Sequence, residues 1–127
     1  MSSPIPKELK YTEDHEWVKV DGDTATVGIT DHAQSELGDI IFIEFPEQND
    51  IIERMEPFGT IEAVKTVADL FAPLNGKIVE INEALEDSPE LVNSDAYGEG
   101  WIVKVSVDDL DQLNDLLSSE SYENHTG

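Results

Sequence analysis

The sequence predicts a mainly β fold: two small antiparallel sheets, a short helix after the second strand and a helix near the C-terminal end. Three observations carry this reading. β-Branched and aromatic runs bounded by Gly, Asp, Asn and Pro fill the first hundred residues. Apolar residues at helical spacing appear only late, at Val107, Leu110, Leu113, Leu116 and Leu117. The length of 127 residues, 39% of them hydrophobic, leaves room for one modest core and so for one domain over residues 1–127.

The elements follow in order. Residues 17–20 and 24–29 flank the turn Asp21, Gly22, Asp23 and read as a hairpin. Thr30 or Asp31 caps a short helix over 31–37, which Gly38 ends. Residues 40–45 are nearly all apolar, a buried strand that Pro46 stops. Residues 47–57 read as a loop with a short strand at Ile51 and Ile52. Residues 58–67 form one extended segment that continues through 68–71 to a break at 72–76. Residues 77–81 alternate polar and apolar, as a half-buried strand does. An acidic, turn-rich loop spans 82–100, and 101–105 is the last strand. Ser106 then caps the closing helix, with Asp108, Asp109 and Asp111 where the helix dipole favours negative charge. The core so expected covers about 10–118, and 119–127 is a polar tail that frays. A weak echo at an offset of 52 residues, 26–31 against 78–83, suits a two-sheet sandwich.

Charge excludes several functions. Seven basic against 29 acidic residues give a formal net charge of −22. Binding a phosphate backbone needs clustered Lys and Arg, and an anionic membrane repels such a surface, so neither nucleic acid nor membrane is an expected partner. With no cysteine there is no disulfide framework, thiolate metal site or thiol nucleophile. No apolar run approaches the roughly 20 residues that span a bilayer. Residues 1–10 lack a signal-peptide pattern, so a cytoplasmic location is expected. The glycosylation-type triplet Asn124, His125, Thr126 is then a chance match.

Catalytic signals are thin. His15, His32 and His125 have no partner at metal-ligand spacing, and His15, between Asp14 and Glu16, reads as a surface histidine. Phosphate-loop, dinucleotide and nucleophile-elbow motifs are absent. Most acids read as a solvated face. Trp17, Trp101, Phe42, Phe45, Phe58 and Phe71 read as core or interface. Lys65 is the lone base of residues 59–69 and on composition is a solvent-facing charge; Val64, Lys65 and Thr66 carry no tight-hairpin signature.

Taken together, several segments resemble the H protein family of the glycine cleavage system, in order and over about residues 10–122. They include Tyr11-Thr12-Glu13-Asp14-His15-Glu16-Trp17-Val18, Leu37-Gly38-Asp39-Ile40, Glu62-Ala63-Val64-Lys65, Ala72-Pro73-Leu74-Asn75-Gly76, Pro89-Glu90-Leu91-Val92-Asn93 and Tyr97-Gly98-Glu99-Gly100-Trp101. The resemblance implies a barrel-sandwich hybrid of the lipoyl-carrier type, in which Lys65 tips a β-hairpin and bears covalent lipoic acid. It implies a non-catalytic shuttle that takes an aminomethyl group from glycine decarboxylase to the folate-dependent aminomethyltransferase. Dihydrolipoyl dehydrogenase then reoxidises the dithiol, and a lipoylating enzyme loads the lysine. Glu62 is implied to help that enzyme choose Lys65. Glu16, Glu36 and Asp69 are implied to line a cleft that shelters the loaded arm. Some members carry a histidine where this chain has Glu36, and Ala63 and Ala68 replace serines common in the family. The alternatives are a lipoyl relay to other lipoyl domains, a biotinyl domain (disfavoured because Val64 and Thr66, not methionines, flank the lysine), and a β-rich interaction module with an inert Lys65.

Overall fold

The computed structural model describes residue 7, residues 9–108 and residues 110–126. Its elements are β1 (Lys10–Tyr11), β2 (Glu16–Asp21), β3 (Thr24–Ile29), α1 (Asp31–Leu37), β4 (Ile40–Glu44), β5 (Ile51–Ile52), β6 (Pro57–Ala63), β7 (Val67–Phe71), β8 (Gly76–Ile81), α2 (Ala84–Asp87), α3 (Leu91–Ser94), β9 (Val103–Val107), a 3-10 helix (Leu110–Asp115) and α4 (Ser119–Thr126). A six-stranded sheet runs β1-β2-β3-β9-β8-β5, and a three-stranded sheet runs β4-β6-β7. All strand pairs are antiparallel. No pairing among the described residues joins the sheets, so no barrel closes. Val18, Val27, Ile78, Val103 and Val105 of the large sheet meet Ile43, Ile61 and Leu70 of the small one in a single buried cluster. This is the mainly β, two-sheet fold that the sequence predicts.

Local chemistry explains the elements that carry the site. Gly22 turns β2 into β3 at φ 66°, a left-handed conformation that glycine adopts without steric cost. Trp17 pairs with Gly28 across that hairpin. A Cβ on Gly28 would stand 2.7 Å from the indole, so the missing side chain lets the ring lie against the strand. Thr30 caps α1, its side chain accepting from the Ala33 N–H, and Gly38 ends the helix at φ 85°. A bulge between Ile40 and Phe42 shifts the register of β4 against β6.

The structure departs from the expected elements at five places. The extended segment 58–67 is broken: β6 ends at Ala63 and β7 begins at Val67. The loop 82–100 contains α2 and α3. The last strand begins at Val103 and runs through Ser106 to Val107, so Ser106 caps no helix. Val107 is buried there, and its N–H donates to the Asp23 carbonyl at 2.7 Å. A ladder with neighbours on both sides takes this segment, because strand alternation buries Val103, Val105 and Val107 together. The expected closing helix is therefore only the 3-10 turn; Leu113 within it and Leu116 just beyond it still pack on the core. Asp109 and the side chain of Leu110 lie outside the described residues, as do residues 1–6 and the side chains of His125 and Thr126.

The polar stretch from Ser119, expected to fray, is α4. Ser118 starts it by accepting from the Ser121 N–H through its hydroxyl and from the Tyr122 N–H through its carbonyl. Tyr122 is fully buried and stacks on Tyr11 with ring centroids 4.7 Å apart. A single aromatic in a polar run anchors the helix, a signal too short for periodicity to show.

Candidate functional site

Lys65 stands at the apex of the β6–β7 hairpin and is exposed. The Ala63 N–H donates to the Thr66 carbonyl at 2.8 Å, which leaves Val64 and Lys65 at the tip. Neither residue has positive φ, so the turn is not of the Asn-Gly kind. It is held from outside: the Val64 N–H donates to the Asp39 carbonyl at 3.0 Å. The Lys65 stem runs over Gly38, where an added Cβ would come within 3.2 Å of Cε. Gly38 is thus both a helix stop and a notch for the lysine.

Asn93, on α3, holds that notch in place. Its side-chain oxygen accepts from the Ile40 N–H at 2.9 Å, and its amide donates to the Gly38 carbonyl at 2.9 Å and to Gln34 Oε1 at 2.8 Å. A buried or half-buried amide with all these partners fixes a loop firmly, because each lost bond leaves a polar group unsatisfied. The 38–40 segment is therefore clamped, and the hairpin apex hangs on it.

Beside the apex lies a cleft of about 160 Å³. Ile29, Ala33, Leu37, Ile61 and Leu70 supply apolar walls, and Glu16, Glu36 and Asp69 all line it. Glu36 and Asp69 are exposed at its mouth, while Glu16 is buried. The three residues that the sequence resemblance groups are thus together in space. Glu36 also lies 3.4 Å from His32 Nε2 across one turn of α1. Glu62 is half-buried on β6, directly before the residue whose N–H closes the turn.

Glu16 has the most unusual chemistry of the group. Burial pushes its carboxyl up from an ordinary 4.5 to about 8; the Phe71 N–H, donating to Oε2 at 2.7 Å, opposes the shift, the Asp14 charge adds to it, and the Thr12 hydroxyl, 3.2 Å from Oε1, opposes it. A neutral carboxylic acid thus faces the cleft at pH 7, ready to ionise if a cation comes near.

His15, expected as a surface histidine, is half-buried and takes φ 66°. Its Nδ1 lies 2.8 Å from the Tyr122 hydroxyl, which lies 2.7 Å from Thr30 Oγ1. Thr30 caps α1, so this relay ties α4, the cleft wall and the start of α1 into one unit. Burial is the main cause that raises the Tyr122 phenol to about 12, so it stays a hydroxyl at ordinary pH.

The chain can be placed among known proteins on this geometry. Residues 9–127 match the family described as Glycine cleavage H-protein. The chain belongs to that family. It is 58% identical over 123 residues to the glycine cleavage system H protein of Staphylococcus carnosus (strain TM300), covering 97% of this chain and 98% of that one. The corresponding protein of Staphylococcus haemolyticus (strain JCSC1435) is 55% identical over the same shares. The crystal structure of a glycine cleavage system H protein from Mycobacterium marinum superposes with a TM-score of 0.89 at 38% identity, covering 97% and 99% of the two chains. Glycine cleavage H proteins are the lipoyl-bearing shuttles of that multienzyme system and work with its enzymes. Among the described residues, no helix of this H-protein family member is long and apolar enough to cross a membrane.

Sequence reasoning missed four parts of the site. Asn93 and Gly38 stand in the segments that carry the resemblance, yet nothing in their spacing shows that they meet. His15 and Tyr122 lie 107 residues apart, and no local pattern links them.

Proposed function

We propose that Lys65 carries lipoic acid in amide linkage and that the chain is a single, non-catalytic lipoyl-carrier domain over residues 1–127. The observation that carries this reading is an exposed amine, held at a hairpin apex by Asp39 and Gly38, next to an apolar cleft that Glu16, Glu36 and Asp69 also line. An alkyl arm fits the apolar walls, and a cationic amine at its end fits Glu16 and Asp69.

Attachment needs the amine in its neutral form, because a free lysine at pH 7 is nearly all ammonium with a pKa of about 10.4. The lipoylating enzyme takes a proton from Nζ and presents an acyl group activated as its adenylate. An amide C–N bond forms, the acyl–oxygen bond breaks and AMP leaves. The bound group supplies a dithiolane, redox chemistry that a chain without cysteine cannot supply itself. The chain's own residues do the rest. Gly38 and Asp39 aim the tip. Glu62 marks the lysine for the lipoylating enzyme. Leu37, Ile61 and Leu70 exclude water from the arm, and Glu16, Glu36 and Asp69 receive the amine.

The partners in this reading are glycine decarboxylase, the aminomethyltransferase and dihydrolipoyl dehydrogenase, and its setting is the cytoplasm. Tethering raises the effective concentration of the carried group at each partner. The test is intact mass and peptide mapping of protein from lipoate-replete cells. A single lipoyl adduct on Lys65 is expected, and Lys65→Arg should fold normally and carry none, since guanidinium is a poor acyl acceptor. An adduct on another lysine, or full aminomethyl transfer by Lys65→Arg, overturns the proposal. Aminomethyl transfer with the three enzymes distinguishes a shuttle from a relay.

A further inference from the structure

Exposure alone does not single out Lys65. Lys7, Lys10, Lys19 and Lys77 are exposed as well. Selection of one lysine therefore needs a surface around it that the others lack.

The outer face of the small sheet supplies one. Phe42 pairs with Glu62, and Glu62 pairs with Val67. Directly paired residues of antiparallel strands point to the same side, so these three form one row across β4, β6 and β7. The next row is Glu44, Thr60 and Asp69. The inner face holds Ile43, Ile61 and Ala68, directed at the core.

Two apolar members of the outer row are unusually bare: Phe42 is 51% and Val67 59% exposed. The β4 bulge turns its extra residue outward too, leaving Ile41 54% exposed beside Phe42. Val64, at the tip, is 71% exposed. Strand spacing of about 4.8 Å and a rise of about 3.3 Å per residue put all four within roughly 15 Å of Lys65. Asp39, Glu44 and Asp69 are exposed around them, and Glu62 stands in the middle. An aromatic and aliphatic patch with an acidic rim is the anatomy of a binding surface, not of a solvated strand face.

We propose that this face, centred on Phe42, docks the enzyme that acylates Lys65, and that the docking partner presents an apolar socket ringed by lysine and arginine. The inference rests on Lys65 being the attachment site. Before loading, no arm exists for the cleft to hold, so recognition of the bare lysine has to come from protein surface. Phe42 and Ile41 supply the buried anchor, and the acids supply orientation and association rate.

The test is single-chain acylation kinetics with apo-protein, a purified lipoate–protein ligase, ATP and lipoate, read by intact mass. Phe42→Ala should raise KM for the apo-protein about tenfold with kcat nearly unchanged, and the pair Ile41→Ser with Phe42→Ser should raise it further. Thermal unfolding should move only modestly, since both side chains are about half exposed and stand outside the buried core. Ile51→Ser is the control: Ile51 is 68% exposed on β5, in the other sheet, and its loss should leave kcat/KM unchanged. Raising salt from about 50 to 300 mM should raise the wild-type KM, because an acidic rim meeting a basic one is screened. Unchanged kcat/KM in both Phe42 variants, an equal loss in Ile51→Ser, or a flat salt dependence each overturns the inference, while wild-type loading on Lys65 leaves the carrier reading standing. Wild-type protein loaded elsewhere than Lys65 overturns both.

Discussion

Replacing Glu16 with glutamine removes the one titration that the fold displaces most plainly into the physiological range. The unfolded chain releases the Glu16 proton near 4.5, and the folded chain holds it to about 8. Between those values the native state binds more protons than the unfolded state, so stability falls as pH rises. The stabilising contribution is full below about 4.5 and is lost progressively up to about 8. Each pH unit inside the window is worth about 1.4 kcal/mol, and the slope flattens above 8, so from pH 6 to pH 9 Glu16 alone costs about 3 kcal/mol. Glutamine keeps an oxygen for the Phe71 N–H and has no proton to release.

The assay is urea unfolding followed by the fluorescence of buried Trp17, for both proteins at pH 6 and pH 9. All other titrating groups are shared, so they cancel in the difference. We expect Glu16→Gln to be more stable by about 2 kcal/mol already at pH 6, because the unfolded wild-type chain has released its proton by then, and its lead to grow by about 3 kcal/mol more by pH 9. Parallel pH dependence in the two proteins would refute the assignment of a neutral, buried Glu16.

Three further outcomes follow from the same geometry. Glu62→Ala should slow lipoylation several-fold while shifting unfolding by less than about 1 kcal/mol, as a half-exposed acid contributes little to folding; stopped lipoylation assays and melting curves compare the two. Tyr122→Phe should cost about 1–2 kcal/mol by stripping the hydroxyl between His15 and Thr30, and Tyr122→Ala about 3–5 kcal/mol by also emptying the stack on Tyr11, both read by urea unfolding. Asn93→Ala should cost about 2 kcal/mol and speed amide hydrogen exchange at Ile40 and Val64, and unchanged exchange at Val64 would show that the tip does not depend on the clamp.

Much of the fold is legible where one physical signal acts alone. The Asp21-Gly22-Asp23 turn, the Thr30 cap and the Gly38 stop are local, and each lies where the sequence places it. Legibility fails where a local preference competes with a distant partner. Ser106 and Val107 fit a capped helix by themselves, but open ladder positions on β3 and β8 draw them into a strand. Ser119 to Thr126 looks like tail until Tyr11 offers Tyr122 a ring to stack on. At the site, the grouping of Glu16, Glu36 and Asp69 came from resemblance; their separation of 53 residues in the chain gives spacing arguments nothing to use. The displaced acidity of Glu16 depends on burial, which no pattern of acids in an acidic chain distinguishes.

The hairpin tip shows why such a site stays hidden from turn rules. An apex built on Asn-Gly encodes its own geometry through positive φ. Here Val64 and Lys65 carry no such code, and their shape comes from the Asp39 carbonyl, which α1 and α3 position through Gly38 and Asn93. The arrangement separates two demands that conflict in a flexible loop. The lysine must protrude to meet large partners, yet it must be held steadily enough for them to find it. A self-coded turn would fix only its own backbone, whereas support from the 38–40 segment also fixes the apex relative to the cleft, because Leu37 belongs to the cleft wall and Gly38 follows it directly. Moving the support away by Asn93→Ala should therefore loosen tip and cleft together, a coupling that a turn rich in glycine could not provide.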